Sequence, residues 1–350
     1  MRAPEFWHGR GGAATLLRPA GMLYGLAGAL RIAVGRPWRA PVPVVCVGNL
    51  TVGGTGKTPV AIDLARRLAE RTPHLLTRGY GGKLAGPVRV DPKTHTVAEV
   101  GDEPLLLARV APTWVARDRK AGARRAIAAG AGLLIMDDGF QNPSLAKDRS
   151  LLVVDGPAGF GNGLLFPAGP LREPAARGFA RASALVMIGE DRHSIGRDAP
   201  LPVLRATLVP AMPLAFAPMA PVVAFAGIGR PEKFFATLAA LGVTPLDHRA
   251  FPDHHVFAER ELADLEALAR GRGARLVTTD PGAGFPHGRL THTYRVAGVY
   301  RVGCTAEWEP TFTVDGLGPF PVPGPVRQAD GATLTVGEGR ALLVPAGMAH

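Results

Sequence analysis

Residues 48–59, Gly-Asn-Leu-Thr-Val-Gly-Gly-Thr-Gly-Lys-Thr-Pro, constrain this chain more than any other stretch. The run before them, Pro43-Val44-Val45-Cys46-Val47, has the length and β-branched content of a strand buried in a parallel sheet. The run after them places apolar residues at 60, 61, 64, 65 and 68, the spacing of one helix face. Strand, glycine loop and helix are the setting of a phosphate-binding loop. There, backbone N–H groups close around an anion and the helix N-terminus adds its positive end. On this reading Asn49, Thr51, Val52, Gly53, Gly54, Thr55, Gly56, Lys57 and Thr58 surround the nucleotide. Lys57 reaches the β- and γ-phosphates and the Thr58 hydroxyl binds Mg²⁺. The strict pattern has glycine where this chain has Thr51, but Gly53, Gly54 and Gly56 leave the loop free to turn. The plainer alternative is a glycine-rich turn that binds nothing.

Strand-like runs at 42–47, 74–77, 113–116, 133–136, 151–155 and 184–188 alternate with helix-compatible stretches such as 104–110 and 119–129. This alternation predicts an α/β fold with a mostly parallel sheet flanked by helices. The proline-rich stretch 200–221 reads as a linker or domain crossover. A second, smaller α/β set follows: strands at 222–226, 243–246 and 275–278, helices at 231–241 and 258–270. Beyond about 280 the helical periodicity stops and Gly, Pro and Thr rise, with short strand-like pieces at 292–294 and 298–302. The expected units are an N-terminal region 1–38, a phosphate-loop core 39–215, a small second domain 216–280 and an irregular or β-rich tail 281–350.

The formal charge of +11 favours an anionic partner. Arginines are scattered rather than massed in a block, so nucleic acid is not the expected partner, and nothing points to an obligate protein partner. Cys46 and Cys304 lie too far apart in sequence to indicate a disulfide framework or a metal cluster, which fits a reducing compartment. The apolar stretch 13–34 is broken by Arg18, Pro19 and Arg31, which argues against a spanning helix. The first 40 residues hold six arginines and a single acid, Glu5, with Trp7, Tyr24 and Trp38 between them. That pattern describes either a helix lying in a membrane interface or an ordinary core helix with exposed arginines.

Several acids and arginines can serve a bound nucleotide. Leu133-Leu134-Ile135-Met136 is an apolar strand ending in Asp137 and Asp138, where a carboxylate can hold Mg²⁺ directly or through water. Asp102 and Glu103 precede a helix: Asp102 is either its cap or a base or metal ligand facing the nucleotide. Phe251-Pro252-Asp253-His254-His255 offers a histidine beside an acid, either as a tuned base or as a solvated loop. Loops bearing Arg78, Arg117 and Arg172 follow candidate strands and can fork onto phosphate oxygens.

Taken together, these motifs resemble the tetraacyldisaccharide 4′-kinases of lipid A synthesis. The likeness rests on Pro4-Glu5-Phe6-Trp7, the loop from Val47 to Pro59, Thr77-Arg78-Gly79-Tyr80-Gly81-Gly82 and Gly101-Asp102-Glu103-Pro104. It continues through Asp137-Asp138-Gly139-Phe140-Gln141, the stretch 167–174, Gly227-Ile228-Gly229-Arg230-Pro231 and Asp253-His254, and covers about residues 4–279. The family's loop generally lacks the first glycine too, so Thr51 fits. Two features depart from the family: Asn142-Pro143 follows Gln141 where a histidine is common, and no lysine follows Thr278-Thr279.

The resemblance implies ATP- and Mg²⁺-dependent phosphorylation of the 4′-hydroxyl of a lipid-linked disaccharide, by a protein held peripherally on the cytoplasmic face of the inner membrane. It implies an Asp102–His254 dyad with Asp102 accepting the hydroxyl proton, and Thr58, Glu103, Asp137 and Asp138 around the metal. Arg78, Arg117, Gln141, Arg172 and Glu173 are the expected substrate contacts. A phosphate-loop kinase or NTPase for a soluble substrate, or a nucleotide-binding homologue disabled by its tail, are the competing readings.

Overall fold

The computed structural model describes residues 4–9, 11–210, 221–227, 231–240, 242–252, 255, 257–279, 294–296, 300–305, 313–314, 318–319, 333–337 and 340–344. The chain opens with a short 3₁₀ turn, Glu5–His8, and helix α1, Gly12–Ala33. The elements that follow are β1 (Val44–Gly48), α2 (Lys57–Arg67), β2 (Pro73–Thr77), β3 (Val88–Arg89), α3 (Val97–Val100), α4 (Asp102–Leu107), β4 (Thr113–Val115), α5 (Arg119–Ala128) and β5 (Leu133–Asp137). After them come β6 (Arg149–Asp155), α6 (Ala175–Phe179), β7 (Ala184–Ile188), α7 (Ile195–Asp198) and β8 (Val203–Pro210). The second set comprises β9 (Val222–Ala226), α8 (Pro231–Ala240), β10 (Asp247–Ala250), α9 (Glu259–Gly271), β11 (Arg275–Thr279), β12 (Tyr294–Val296) and β13 (Tyr300–Thr305).

The main sheet has nine strands in the order β13-β8-β7-β6-β1-β5-β2-β4-β3. Only the two edges are antiparallel, β13 on β8 and β3 on β4. The parallel strands β1, β2, β5 and β7 are buried along their whole length, as a sheet covered on both faces requires. Alternation along β1 divides the core. Val44 and Cys46 pack with Met136, Leu152 and the small Ala123 and Ala126 of α5. Val45 and Val47 pack with Ile135, Val153 and the Val60, Ile62 and Ala65 of α2. The fold is therefore a mostly parallel sheet flanked by helices, as the sequence alternation implies.

A second sheet, β10-β9-β11-β12, is parallel throughout. Phe234 and Leu238 of α8 cover one of its faces, and Leu262, Leu265 and Ala269 of α9 the other.

Two sequence expectations are corrected. The stretch read as a linker from 200 contains β8, which pairs in register with β7. Pro202 precedes the strand and Pro210 is its last residue, beyond the ladder to β7, which runs from Val203 to Ala206. The strand expected at 243–246 lies at Asp247–Ala250, a polar and largely exposed edge whose partner ladder, not its side chains, defines it. Residues 211–220 lie outside the described set. The short strands read near 294 and 300 pair with β11 and β8.

Candidate active site

The site forms at the carboxyl edge of the central strands, where open α/β sheets bind ligands. β1 ends at Gly48, and the loop returns to the protein at Lys57, the first residue of α2. Gly53 (φ 111°) and Gly56 (φ 89°) take left-handed backbone that a side chain would strain. A Cβ at Gly56 would also lie 2.6 Å from Ile188 Cδ1, whereas one at Gly53 or Gly54 would meet nothing within 4 Å. The loop thus presents an open, backbone-lined face. The buried Asn49 side chain staples it from beneath, donating from Nδ2 to Gly53 O (3.4 Å) and Thr55 Oγ1 (3.2 Å).

Thr51 explains the missing first glycine. It bridges antiparallel to Leu171, with Val52 N donating to Pro170 O (2.8 Å) and Arg172 N to Leu50 O (2.7 Å). The backbone here is extended and braced by a neighbouring loop, so no positive φ is needed. Val52 is exposed on the open side.

β5 runs beside β1 with Val47 paired to Asp137. This register sets Asp137 beneath the phosphate loop. Thr58 Oγ1 donates to Asp137 Oδ2 at 3.1 Å, while the buried Asp137 Oδ1 has no hydrogen-bond partner among the described residues. Burial, with the neighbouring Asp138 charge, pushes the Asp137 carboxyl up to about 6 against the pull of Lys57. Asp138 follows in left-handed backbone (φ 53°). Arg172 grips it through Nη1–Oδ1 (2.8 Å) and Nη2–Oδ2 (3.3 Å), and Lys57 Nζ lies 3.9 Å from Oδ1. Burial alone would raise the Asp138 carboxyl, but Lys57 and Arg172 hold it below the ordinary range. Glu103, in the first turn of α4, is pushed up to about 8 by burial and then by Asp137. Asp102 begins the same turn and adds to that repulsion.

An orphaned buried carboxylate oxygen, a hydroxyl beside it and acids held above their ordinary pKa are a donor set short of positive charge. Mg²⁺ fits it, since this ion takes one or two protein oxygens and completes its shell with water and phosphate. Among the described residues, no group of three or more His, Cys, Asp or Glu is arranged to hold a metal ion, so Glu103, Asp137 and Asp138 do not form such a cluster by themselves.

A polar ring extends outward. Gln141 Nε2 donates to Asn49 O (2.9 Å) and to Glu173 Oε1 (3.0 Å), and Arg172 Nη1 approaches Gln141 Oε1 at 3.4 Å. Arg181 pairs with Glu173 and stacks its guanidinium 4.3 Å from the centre of the Phe140 ring. Asn142, at the departure from the family pattern, accepts from the Ser144 backbone and hydroxyl and so closes a turn.

The expected site residues therefore converge in part. The loop residues, Asp102, Glu103, Asp137, Asp138, Gln141, Arg172 and Glu173 share one edge. Arg78 is exposed, and its charge acts on the buried Arg119. Arg117 is exposed and donates to Gly82 O at 3.4 Å. His254 lies outside the described residues.

Arg119, two positions beyond Arg117 in the same arginine-bearing stretch, is buried. It is 3% exposed, donates to Ala116 O, and leaves Nε without a partner among the described residues. Burial lowers its guanidinium to about 10 against the attraction of Asp138 and Asp137. Asp118 caps α5 by accepting from Lys120 N and Ala121 N, which is the sequence signal that placed Arg119 inside the helix start.

The profile of the tetraacyldisaccharide-1-P 4′-kinase family matches residues 13–283. The tetraacyldisaccharide 4′-kinase of Rhodospirillum centenum is 56% identical over 293 residues, covering 80% of this chain and 86% of that protein. The protein of the same name from Gluconacetobacter diazotrophicus is 57% identical over 292 residues, covering 81% and 88%. The crystal structure of LpxK from Aquifex aeolicus in complex with ATP superposes with a TM-score of 0.67 at 26% identity, over 83% of this chain and 93% of that one.

Proposed function

Because this chain belongs to the tetraacyldisaccharide-1-P 4′-kinase family, we propose that it transfers the γ-phosphoryl group of ATP to the 4′-hydroxyl of a tetraacylated glucosamine disaccharide 1-phosphate, giving lipid IVA. The observation that carries this reading is the hydrogen bond from Thr58 to Asp137 beside Lys57, at the open face of the phosphate loop.

Backbone N–H groups of residues 53–58 hold the β- and γ-phosphates, and Lys57 puts its charge where negative charge spreads in the transition state. Thr58, Glu103, Asp137 and Asp138 are the residues that would hold Mg²⁺, and the chemistry it would supply there is neutralisation of phosphate oxygens. Asp102 accepts the proton of the attacking hydroxyl as the new O–P bond forms, and ADP leaves as the bond from the γ-phosphorus to the bridging oxygen breaks. His254 partners Asp102 in that role. Arg172, Gln141 and Glu173 line the acceptor side, with Arg78 and Arg117 at its rim. Since phosphoryl transfer is mostly positioning and charge stabilisation, this set suffices.

Two features support a lipid acceptor. α1 buries Ala14, Gly21 and Gly25 against the protein and leaves Leu16, Met22, Leu23, Leu26 and Leu30 exposed. No helix among the described residues is long and apolar enough to cross a membrane, so α1 suits a peripheral contact with the bilayer surface. Beside it lies a groove of about 290 Å³, lined by Gly25, Ala29 and Ile32 of α1 and by Pro174, Arg177 and Arg181. ATP as the donor and the basic N-terminal region both favour the cytoplasmic face of the inner membrane.

The test is direct. The full chain, with γ-labelled ATP, Mg²⁺ and disaccharide lipid in mixed micelles, should label the lipid at the 4′ position. Label passing only to water or to soluble sugars, with the lipid untouched, would overturn the reading.

A further inference from the structure

Asn162 occupies the centre of a knot between the N-terminal segment and the loop that braces the phosphate site. Its side chain is buried, at 7% exposure. Nδ2 donates toward Phe6 O (3.1 Å), Gly9 O (3.0 Å) and Ala168 O (3.0 Å), and Oδ1 accepts from Leu164 N (3.0 Å). Its own backbone N donates to Trp7 O at 2.7 Å. Trp7 completes the contact from the other side, donating from Nε1 to Pro167 O (3.0 Å) and meeting Phe166 edge-on. One amide thus satisfies the carbonyls of a segment some 155 residues away in sequence and fixes both ends of the 162–168 loop. The fit leaves no slack: a Cβ at Gly169 would lie 2.1 Å from Asn162 Oδ1.

The same loop ends in the catalytic edge. Leu171 N donates to Leu164 O (3.0 Å), Val52 N to Pro170 O (2.8 Å) and Arg172 N to Leu50 O (2.7 Å). Arg172 then holds Asp138. α1 rests on this loop as well, since a Cβ at Gly21 would lie 2.8 Å from Leu165 O and one at Gly25 2.5 Å from Leu165 Cδ1. Its Arg31 donates to Gln141 O at 3.1 Å. An unbroken chain of hydrogen bonds therefore joins residues 6–9 to the phosphate loop.

We propose that Asn162 is a positioning residue through which the N-terminal segment sets the geometry of the phosphate loop and of Arg172. Its side-chain hydrogen bonds all go to backbone groups, and it acts through Leu164, Ala168 and the 170–172 ladder. The proposal rests on the kinase reading for its purpose, but its readout is nucleotide affinity, which does not need the lipid acceptor. Failure of lipid labelling and failure of this proposal are therefore separate results.

The test uses the full chain. Asn162→Asp keeps the acceptor for Leu164 N and removes every donor to the three carbonyls. Trp7→Phe keeps an aromatic ring, smaller than the indole, and removes the bond to Pro167 O. Leu238→Ala, in the core of the second sheet, serves as a control for lost stability. Affinity for Mg·ATP is measured at equilibrium beside the melting temperature of each variant. Asn162→Asp and Trp7→Phe are each expected to weaken Mg·ATP binding by about tenfold, the order set by one or two lost hydrogen bonds. Leu238→Ala should lower the melting temperature and leave affinity unchanged. In a cycle with Arg172→Lys, the Asn162→Asp effect should shrink, because both act on one ladder. Wild-type affinity in folded Asn162→Asp and Trp7→Phe, or full additivity with Arg172→Lys, would overturn the proposal.

Discussion

Arg172 holds Asp138 with both guanidinium nitrogens, at 2.8 and 3.3 Å, across 34 residues of sequence. The fork fixes a carboxylate whose backbone is already in an unusual left-handed conformation. It also gives the two neighbouring acids different roles. Asp138 is paired with arginine, while Asp137 accepts from Thr58 and keeps one buried oxygen without a partner among the described residues. A lysine in place of Arg172 keeps the charge and loses the fork. Arg172→Lys should lower kcat/KM for phosphoryl transfer by about 10- to 100-fold, the loss expected for a charge-assisted pair. Steady-state kinetics on the folded variant checks this, and unchanged kinetics would remove Arg172 from the site.

Lys57 is buried at the head of α2, 3.9 Å from Asp138. On the proposed mechanism its charge would serve the transferring phosphoryl group. Lys57→Ala should cut turnover by about 10²- to 10³-fold, the scale of one lost transition-state charge contact. Single-turnover measurements on the variant separate this from a loss of nucleotide affinity. Activity within a factor of a few of wild type would refute the assigned role.

Much of this site was legible from sequence because it is local. The phosphate loop, the acid-ended strand and the 167–174 loop each carry their chemistry within a few residues, and the alternation of strand and helix fixes their common edge. What was not legible depends on distant pairing. Thr51 reads as a departure from the strict loop pattern, and only the bridge to Leu171 supplies its structural reason. Arg117 and Arg119 differ by two positions, yet one is exposed and the other buried, because Asp118 starts a helix between them. The strand β8 sits in a proline-rich stretch, and only its ladder to β7 reveals it. Asn162 is one polar residue in a glycine-rich loop, and its partners Phe6 and Gly9 come from the other end of the domain.

α1 places its large apolar side chains outward and its small ones inward, so its solvent-facing stripe can be changed without disturbing the fold. The double substitution Leu23→Glu and Leu26→Glu should weaken binding to anionic vesicles by about 100-fold or more, since each leucine contributes about 1.5–3 kcal/mol when removed from water. Co-sedimentation reads this out, with circular dichroism as the check on folding. Point changes are the cleaner test, because deleting residues 1–38 would also remove the contacts to Leu165 and Gln141. Vesicle binding unaffected by both charges would contradict a bilayer contact through this face.

His74 gives a pH signature independent of the site. It is buried in β2, accepts from Trp114 Nε1 at 3.2 Å, and is held below its usual 6.5 by burial and by Arg89. As pH falls through about 6.5, the unfolded chain takes up this proton before the folded one, so folding stability declines. His74→Asn keeps an acceptor for Trp114 and does not titrate. The variant's melting temperature should therefore fall less than that of wild type between about pH 7.5 and pH 5.5. Parallel declines would show that His74 is not held neutral.

The most direct measurement is a crystal structure of the full chain with Mg²⁺ and a non-hydrolysable ATP analogue. The account predicts the metal at about 2.1 Å from Thr58 Oγ1, with Asp137 in its first or second sphere and the γ-phosphate oxygens within hydrogen-bond reach of Lys57 Nζ. Triphosphate seated away from residues 53–58, or Asp102 facing away from the γ-phosphate, would contradict it.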